Sequence, residues 1–145
     1  MQTKFVEVFG AFLNRINDYD YANKLSKEDL DYVLTTFLES SVATFNEASG
    51  EEYDDFLLNK EAKMFDRELK RIEIDILAHL MVVEYLKPNL YTTELLRQVL
   101  SDRDYKVYSQ ANQMNQLKDL YELTKREANV KMNNYLFNRL VVRAK

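Results

Sequence analysis

One proline and two glycines punctuate a chain of 145 residues, so little in it can end a helix. No segment alternates apolar and polar residues over a useful strand length; the extreme C-terminus is the one place where such a pattern is arguable. The sequence therefore predicts an all-α fold, a compact bundle of about five helices with a long C-terminal helix. The length suits one domain that buries roughly two-thirds of its unfolded surface.

The stretch EIDILAHLMVVEYLKP, 73–88, sharpens that reading. Between Ile76 and Val83 only His79 interrupts apolar and small residues. A surface helix carries one apolar stripe, whereas a helix apolar on most sides is enclosed on most sides. A membrane does not suit this segment: eight residues make roughly 12 Å of helix against a hydrocarbon core of roughly 30 Å. Enclosure by the protein's own helices and enclosure by further copies of the chain both remain open.

Five helical segments follow from the period. Over Lys4–Tyr19, Phe5, Phe9, Phe12 and Ile16 fall on one face, widened by Val8 and Leu13. Ser26 is a good N-cap for a second helix reaching about Asn46, with acids in its first turn. NEASGEEYDD, 46–55, holds five acids and no base and reads as a loop, with helix resuming near Phe56 or after Asn59. A central helix is expected from about Phe65 to Lys87, stopped by Pro88. A short helix over Thr93–Leu100 precedes a polar connection, SDRDYKVYS. The longest helix then starts near Ser109 or Gln110 and reaches at least Asn133, with a thin coiled-coil-like seam at Met114, Leu117, Tyr121, Thr124, Ala128, Met132 and Tyr135.

Charge and chemistry narrow the function. Charged residues make up 30% of the chain, the formal charge is −4 and mean hydropathy is −0.46, which describes a soluble protein rather than a general nucleic-acid binder. The N-terminus lacks the apolar core and cleavage site of a secretory signal. Without cysteine, thiol catalysis, disulfides and thiolate metal sites are unavailable. No phosphate-binding, dinucleotide, nucleophile-elbow or zinc-protease motif occurs, and the acidic loop lacks calcium-loop spacing. That loop reads as solvated, or as a surface that repels something anionic. His79 has Asp75 at helical spacing and no further partner, and reads as a structural histidine satisfied by a neighbour or lying at a subunit contact. No catalytic residue, cofactor or metal ligand is expected, and no enzyme.

Ten tyrosines and eight phenylalanines suit surfaces that are apolar in body and wet at the tip. Tyr105 and Tyr108 fall in the polar connection, where they either meet a neighbouring subunit or cap the bundle. The chain divides into a helical bundle over 1–134 and a tail over 135–145, YLFNRLVVRAK. From Lys131 onward there are four bases and no acid. The tail either extends the seam as a helix, reaches out as an extended arm, or folds back on its own bundle.

FLESSVATF (37–45), EIDILAHLMVVEYLKP (73–88) and ELLRQVLSDRDYKVYSQANQMNQLKDL (94–120) resemble segments of the head–tail connector, adaptor or neck proteins of tailed bacteriophages. The run closing on Leu-Lys-Pro and the run DRDYKVYSQAN carry the likeness best, whereas the acidic loop and the tail follow the family less closely. The resemblance implies a ring of identical helical subunits, typically about twelve, under the portal at the capsid vertex. It implies a stopper or tail protein on the far side and a virion-neck location, after assembly in the bacterial host cytoplasm. DNA would pass through the channel non-specifically, with no membrane partner. By position and composition, Leu136, Phe137, Arg139, Leu140, Val141, Val142 and Arg143 would dock onto the portal, while Tyr105, Tyr108 and His79 would lie between subunits. An acidic channel would suit DNA that has to slide. The alternative is a small helical regulatory module that binds one protein partner.

Overall fold

The computed structural model describes residues 1–16, 26–50, 56–100 and 104–144, with side chains described except over 89–115 and 143–144. Four helices account for most of these residues: α1 (Phe5–Leu13), α2 (Lys27–Ser49), α3 (Arg71–Leu100) and α4 (Asp104–Ala144). Between α2 and α3 lies a hairpin of two two-residue strands, β1 (Leu58–Asn59) and β2 (Met64–Phe65). Among the described residues no helix is long and apolar enough to cross a membrane.

Local chemistry explains the helix starts. The Ser26 hydroxyl accepts a hydrogen bond from the Asp29 amide at 3.1 Å, satisfying one of the donors that an α-helix leaves open at its N-terminus. Glu7 reaches back to the Lys4 amide at 2.8 Å. At the other end of α2, Gly50 has φ 95°, a conformation that L side chains rarely adopt.

The structure corrects several boundaries. Helix α1 ends at Leu13, short of the expected Tyr19. No helix resumes at Phe56. The Asn46 side chain accepts from the Phe56 amide at 3.4 Å and donates to its carbonyl at 3.3 Å, which holds the chain extended as it enters the hairpin. Asn59 then accepts from the Ala62 amide at 3.0 Å and Lys63 takes φ 55°, turning the chain. The central helix therefore begins at Arg71 rather than near Phe65.

Pro88 does not stop that helix; it lies inside α3, so the central and short helices are one. Proline removes one backbone hydrogen bond, to the carbonyl of Glu84, and disfavours helix at the residue before it. Those are local biases, and α3 also packs against α1, α2 and α4. The connection shrinks correspondingly. Helix α4 begins at Asp104 and spans 41 residues, roughly 60 Å. Tyr105 and Tyr108 thus lie on a helix, with their side chains outside the described set. The tail is helical through Ala144, continuous with the helix before it.

Enclosure of the Ile76–Val83 segment comes from the chain's own helices. Ile76, Leu77, Ala78 and Met81 are fully buried because α3 meets all three other helices. The core beside it is aromatic. Tyr135 leans on Phe45 at 5.9 Å between ring centroids, Phe45 on Phe56 at 4.8 Å, Phe56 on Phe65 at 6.1 Å and Phe65 on Phe5 at 5.3 Å. These edge-on and tilted pairs are the favoured aromatic geometries, and they join α4, α2, the hairpin and α1 in one run.

The N-terminus is tied into the same place. Phe65 donates its amide to the Thr3 carbonyl at 2.8 Å, Phe5 donates to Lys63 at 2.9 Å, and the Leu69 amide donates to the Thr3 hydroxyl at 2.8 Å. Lys4 thus pairs with Met64 as an isolated antiparallel bridge beside the hairpin.

Candidate docking surfaces

The outer face of α4 is built by what its inner face gives up to the core. Thr124, Ala128 and Met132 are buried, and Leu117, Tyr121 and Tyr135 are partly buried, so the expected seam from Leu117 to Tyr135 faces the core; the Met114 side chain lies outside the described set. Two charged networks fix this helix to the body. In the first, Glu73 sits almost fully buried at the start of α3. It accepts from both Arg67 guanidinium nitrogens at 3.0 and 2.6 Å, from the Lys70 amide at 2.7 Å and from the Tyr135 hydroxyl at 3.1 Å. Burial pushes the Glu73 carboxyl up, but Arg67, the Lys70 amide and Tyr135 together hold it below its ordinary value. Burial and the Glu73 carboxylate push Tyr135 up, so its hydroxyl remains a donor.

In the second network Asp75 pairs with Arg15, just beyond α1, and with Lys131 of α4 at 3.0 Å. Burial raises the Asp75 carboxyl, and the two cations more than offset it. One carboxylate thereby joins α3 to two other elements.

One turn on, His79 lines a crevice of about 490 Å³ with Ile16, Val82, Tyr85, Leu86 and Leu120, and with the cations Arg15 and Lys131. Its Nε2 is buried without a hydrogen-bond partner among the described residues; the Glu127 carboxylate stands 3.7 Å away. Burial first, then Lys131 and Arg15, push the ring's pKa below 6.5, against the opposing pull of Glu127 and Asp75. The fold thus prefers the neutral ring. Its contribution to stability is complete above about pH 6.5 and is lost as pH falls through the lowered folded value. Urea titrations at intervals from pH 7 to 5 are expected to show stability declining in the parent and a flatter course in the His79→Gln protein. Equal slopes would remove His79 as the cause.

Among the described residues no group of His, Cys, Asp or Glu is placed to hold a metal ion. Among the described residues, α4 carries exposed apolar side chains. On α4, Leu123, Val130 and Phe137 recur every seven residues, all about half exposed or more, as in a helix that presents a seam to another helix. Beyond Tyr135, Phe137 is 65% and Val142 73% exposed, with Leu140 and Val141 beside them.

The residues singled out in the sequence separate accordingly. Phe137, Leu140, Val141 and Val142 stand on the outside. Leu136 packs against the core, and Arg139 lays its guanidinium over the Tyr135 ring at 5.8 Å. His79 lies in the crevice on α3, apart from the tail; the Arg143 side chain lies outside the described set. Sequence reading found the inner seam and passed over Leu123 and Val130. The signal was present as a second seven-residue spacing, masked by the charges between its members.

A second apolar surface lies on α1 and α2. Val6, Phe9, Gly10 and Leu13 with Leu30 and Leu34 line a groove of about 520 Å³, edged by Lys27, Glu28 and the Asp31–Lys63 ion pair. No family model, no curated protein and no solved structure matches this chain.

Proposed function

We propose that the chain is a structural, non-enzymatic connector of a tailed-bacteriophage neck, an adaptor that assembles as a ring between the portal and the tail or stopper. The reading starts from the resemblance of residues 37–45, 73–88 and 94–120 to such proteins. The observation that carries it further is the outward apolar face of α4 beyond Tyr135.

Phe137, Leu140, Val141 and Val142 are exposed on a helix that Tyr135 anchors through Glu73 and Phe45. A helix held in place loses little freedom on docking, so more of the apolar contact is realised as affinity. Three bases and no acid beyond Lys131 suit an acidic, apolar groove on the portal. The rest of the chain holds that helix and forms the ring wall, with the genome passing through the channel.

The test is native mass spectrometry of the protein alone and mixed with the portal protein of its own phage, comparing the full chain with one ending at Leu136. Ending there keeps the Tyr135 anchor. Ring-sized assemblies on the portal are expected for the full chain and not for the shortened one. Full-length protein that ignores the portal across a wide concentration range overturns the adaptor reading. Stoichiometric capture as a single copy points to the helical binding module instead.

A further inference from the structure

Three polar contacts set α3 and α4 antiparallel. Glu73 meets Tyr135 at 3.1 Å, Asp75 meets Lys131 at 3.0 Å, and His79 stands 3.7 Å from Glu127. On α3, residues 75, 79, 82 and 86 follow at spacings of four, three and four; on α4, residues 131, 127, 124 and 120 repeat those spacings in reverse. Each set shares one face of its helix, and the crevice that His79 lines runs where the two faces meet.

That register sorts the lining by chemistry. Arg15 and Lys131 both bond Asp75 and so stand together at one end. His79 follows, and then Val82 and Leu86 of α3 across from Thr124 and Leu120 of α4. Asp75 and Leu86 lie roughly 16 Å apart along the helix axis. The described lining includes the two cations and no carboxylate. Asp75 is a single carboxylate shared by both, and Glu127 is 54% exposed, where water screens it. The cationic end is thus left short of negative charge. His79 marks the same place as incomplete: its Nε2 is buried without a partner among the described residues, and buried polar atoms are rarely left so.

We propose that this crevice binds one amphipathic carboxylate of the fatty-acid class, its head between Arg15 and Lys131 and its aliphatic chain along Val82, Leu86 and Leu120. Arg15 donates to the Ala11 carbonyl and to Asp75, and Lys131 donates to Asp75. A guanidinium has five N–H donors and an ammonium three, so both keep donors for the charge-assisted hydrogen bonds that hold a carboxylate. The volume of about 490 Å³ falls in the range of small-molecule sites, about 300–1,000 Å³. Aliphatic walls beyond His79 suit a saturated chain. The inference is independent of the adaptor reading and uses no residue beyond Tyr135.

Calorimetric titration of the full chain with dodecanoate, kept below the concentration at which it forms micelles, tests the site at about pH 8, where the acid is ionised. One molecule per chain is expected. Butanoate and the cation of the same chain length, dodecyltrimethylammonium, are each expected to bind at least roughly tenfold more weakly. Lys131→Gln is expected to weaken dodecanoate roughly tenfold, and Lys131→Arg to keep it. Asp75→Asn removes the carboxylate that competes for both cations and is expected to tighten dodecanoate roughly threefold. Leu120 is 49% exposed, so Leu120→Glu places an acid at the chain end of the crevice without lowering the melting temperature. It is expected to weaken dodecanoate roughly tenfold.

Equal affinity for the anion and the cation of one chain length means an apolar surface without a head site, and overturns the proposal. Several molecules per chain mean detergent-like adsorption and overturn it as well. Absence of binding means that the chain itself fills the crevice or leaves it too shallow, with the same consequence. An affinity that Lys131→Gln and Asp75→Asn both leave unchanged puts the head elsewhere and removes the assignment. The outcome is separable from the adaptor reading. Dodecanoate binding by a chain that ignores the portal keeps the site and loses the adaptor, while portal assembly by a chain that binds no dodecanoate does the reverse.

Discussion

Phe45→Ala is expected to lower the free energy of unfolding by about 3–5 kcal/mol, the range for removing a buried aromatic ring. Phe45 has no solvent exposure, and it is the ring through which the other elements meet. Its edge packs on Phe56 at 4.8 Å on the hairpin side and on Tyr135 at 5.9 Å on the α4 side. Each such pair contributes about 0.5–1.5 kcal/mol beyond area burial, which places this site toward the upper end of the range. Domains are stable by only about 5–15 kcal/mol, so the variant is expected to melt at least roughly 8 °C below the parent. Phe45→Leu, which keeps most of the volume, should cost about 1–1.5 kcal/mol. Thermal unfolding followed by circular dichroism checks both. A Phe45→Ala protein that melts within 2 °C or so of the parent would mean that the aromatic run does not bind the elements together.

That run bears on function through α4. A surface face docks well when the body behind it is rigid, and the face beyond Tyr135 is held at one place by Phe45 and Glu73. The core and the face proposed to dock are one mechanical unit in this sense. Among the described residues, the phenylalanines that read as interface material in the sequence are spent largely on the interior: Phe5, Phe12, Phe45, Phe56 and Phe65 are fully or almost fully buried.

The helices were legible because their signals are local and repeated. Phe5, Phe9 and Phe12, and Leu34, Leu38 and Phe45, are buried as their spacing predicts. Ser26 caps α2 through its own side chain, three residues from its partner. The hairpin was not legible, because its strands are two residues each and depend on distant groups. Its pairing includes Thr3, and its entry is held by Asn46.

Pro88 misled for the complementary reason. A local rule was applied to a helix that also packs against three others. The face proposed to dock was half legible: composition flagged the tail, while only the fold shows that Leu136 turns inward and Phe137 outward. The ridge at Leu123 and Val130 needed burial to separate it from the inner seam, since both share the helical period.

Glu73→Ala is expected to cost about 2–4 kcal/mol. The variant leaves the Lys70 amide, the Tyr135 hydroxyl and the Arg67 guanidinium without the carboxylate they share. Breaking a buried ion pair typically costs about 3–5 kcal/mol, and the expectation is set lower because Arg67 is about a third exposed and can turn to water. Tyr135→Phe removes one hydrogen bond to that carboxylate and is expected to cost about 1–2 kcal/mol.

The pH course identifies the cause. Burial raises the Glu73 carboxyl, but its partners hold it below 4.5 when folded. Its contribution is therefore complete above about pH 4.5 and is lost as pH falls through the lowered folded value. Urea midpoints of parent and Glu73→Ala proteins are expected to lie far apart at pH 7 and to converge on acidification below pH 4.5 or so. Hydrogen exchange at pH 7 gives the link to docking: with the anchor gone, amides of residues 137–142 should exchange at least tenfold faster, while those around Ile76–Met81 change only with global stability. Uniform acceleration across both segments would reduce Glu73 to a general stabiliser and leave the α4 face without a dedicated anchor.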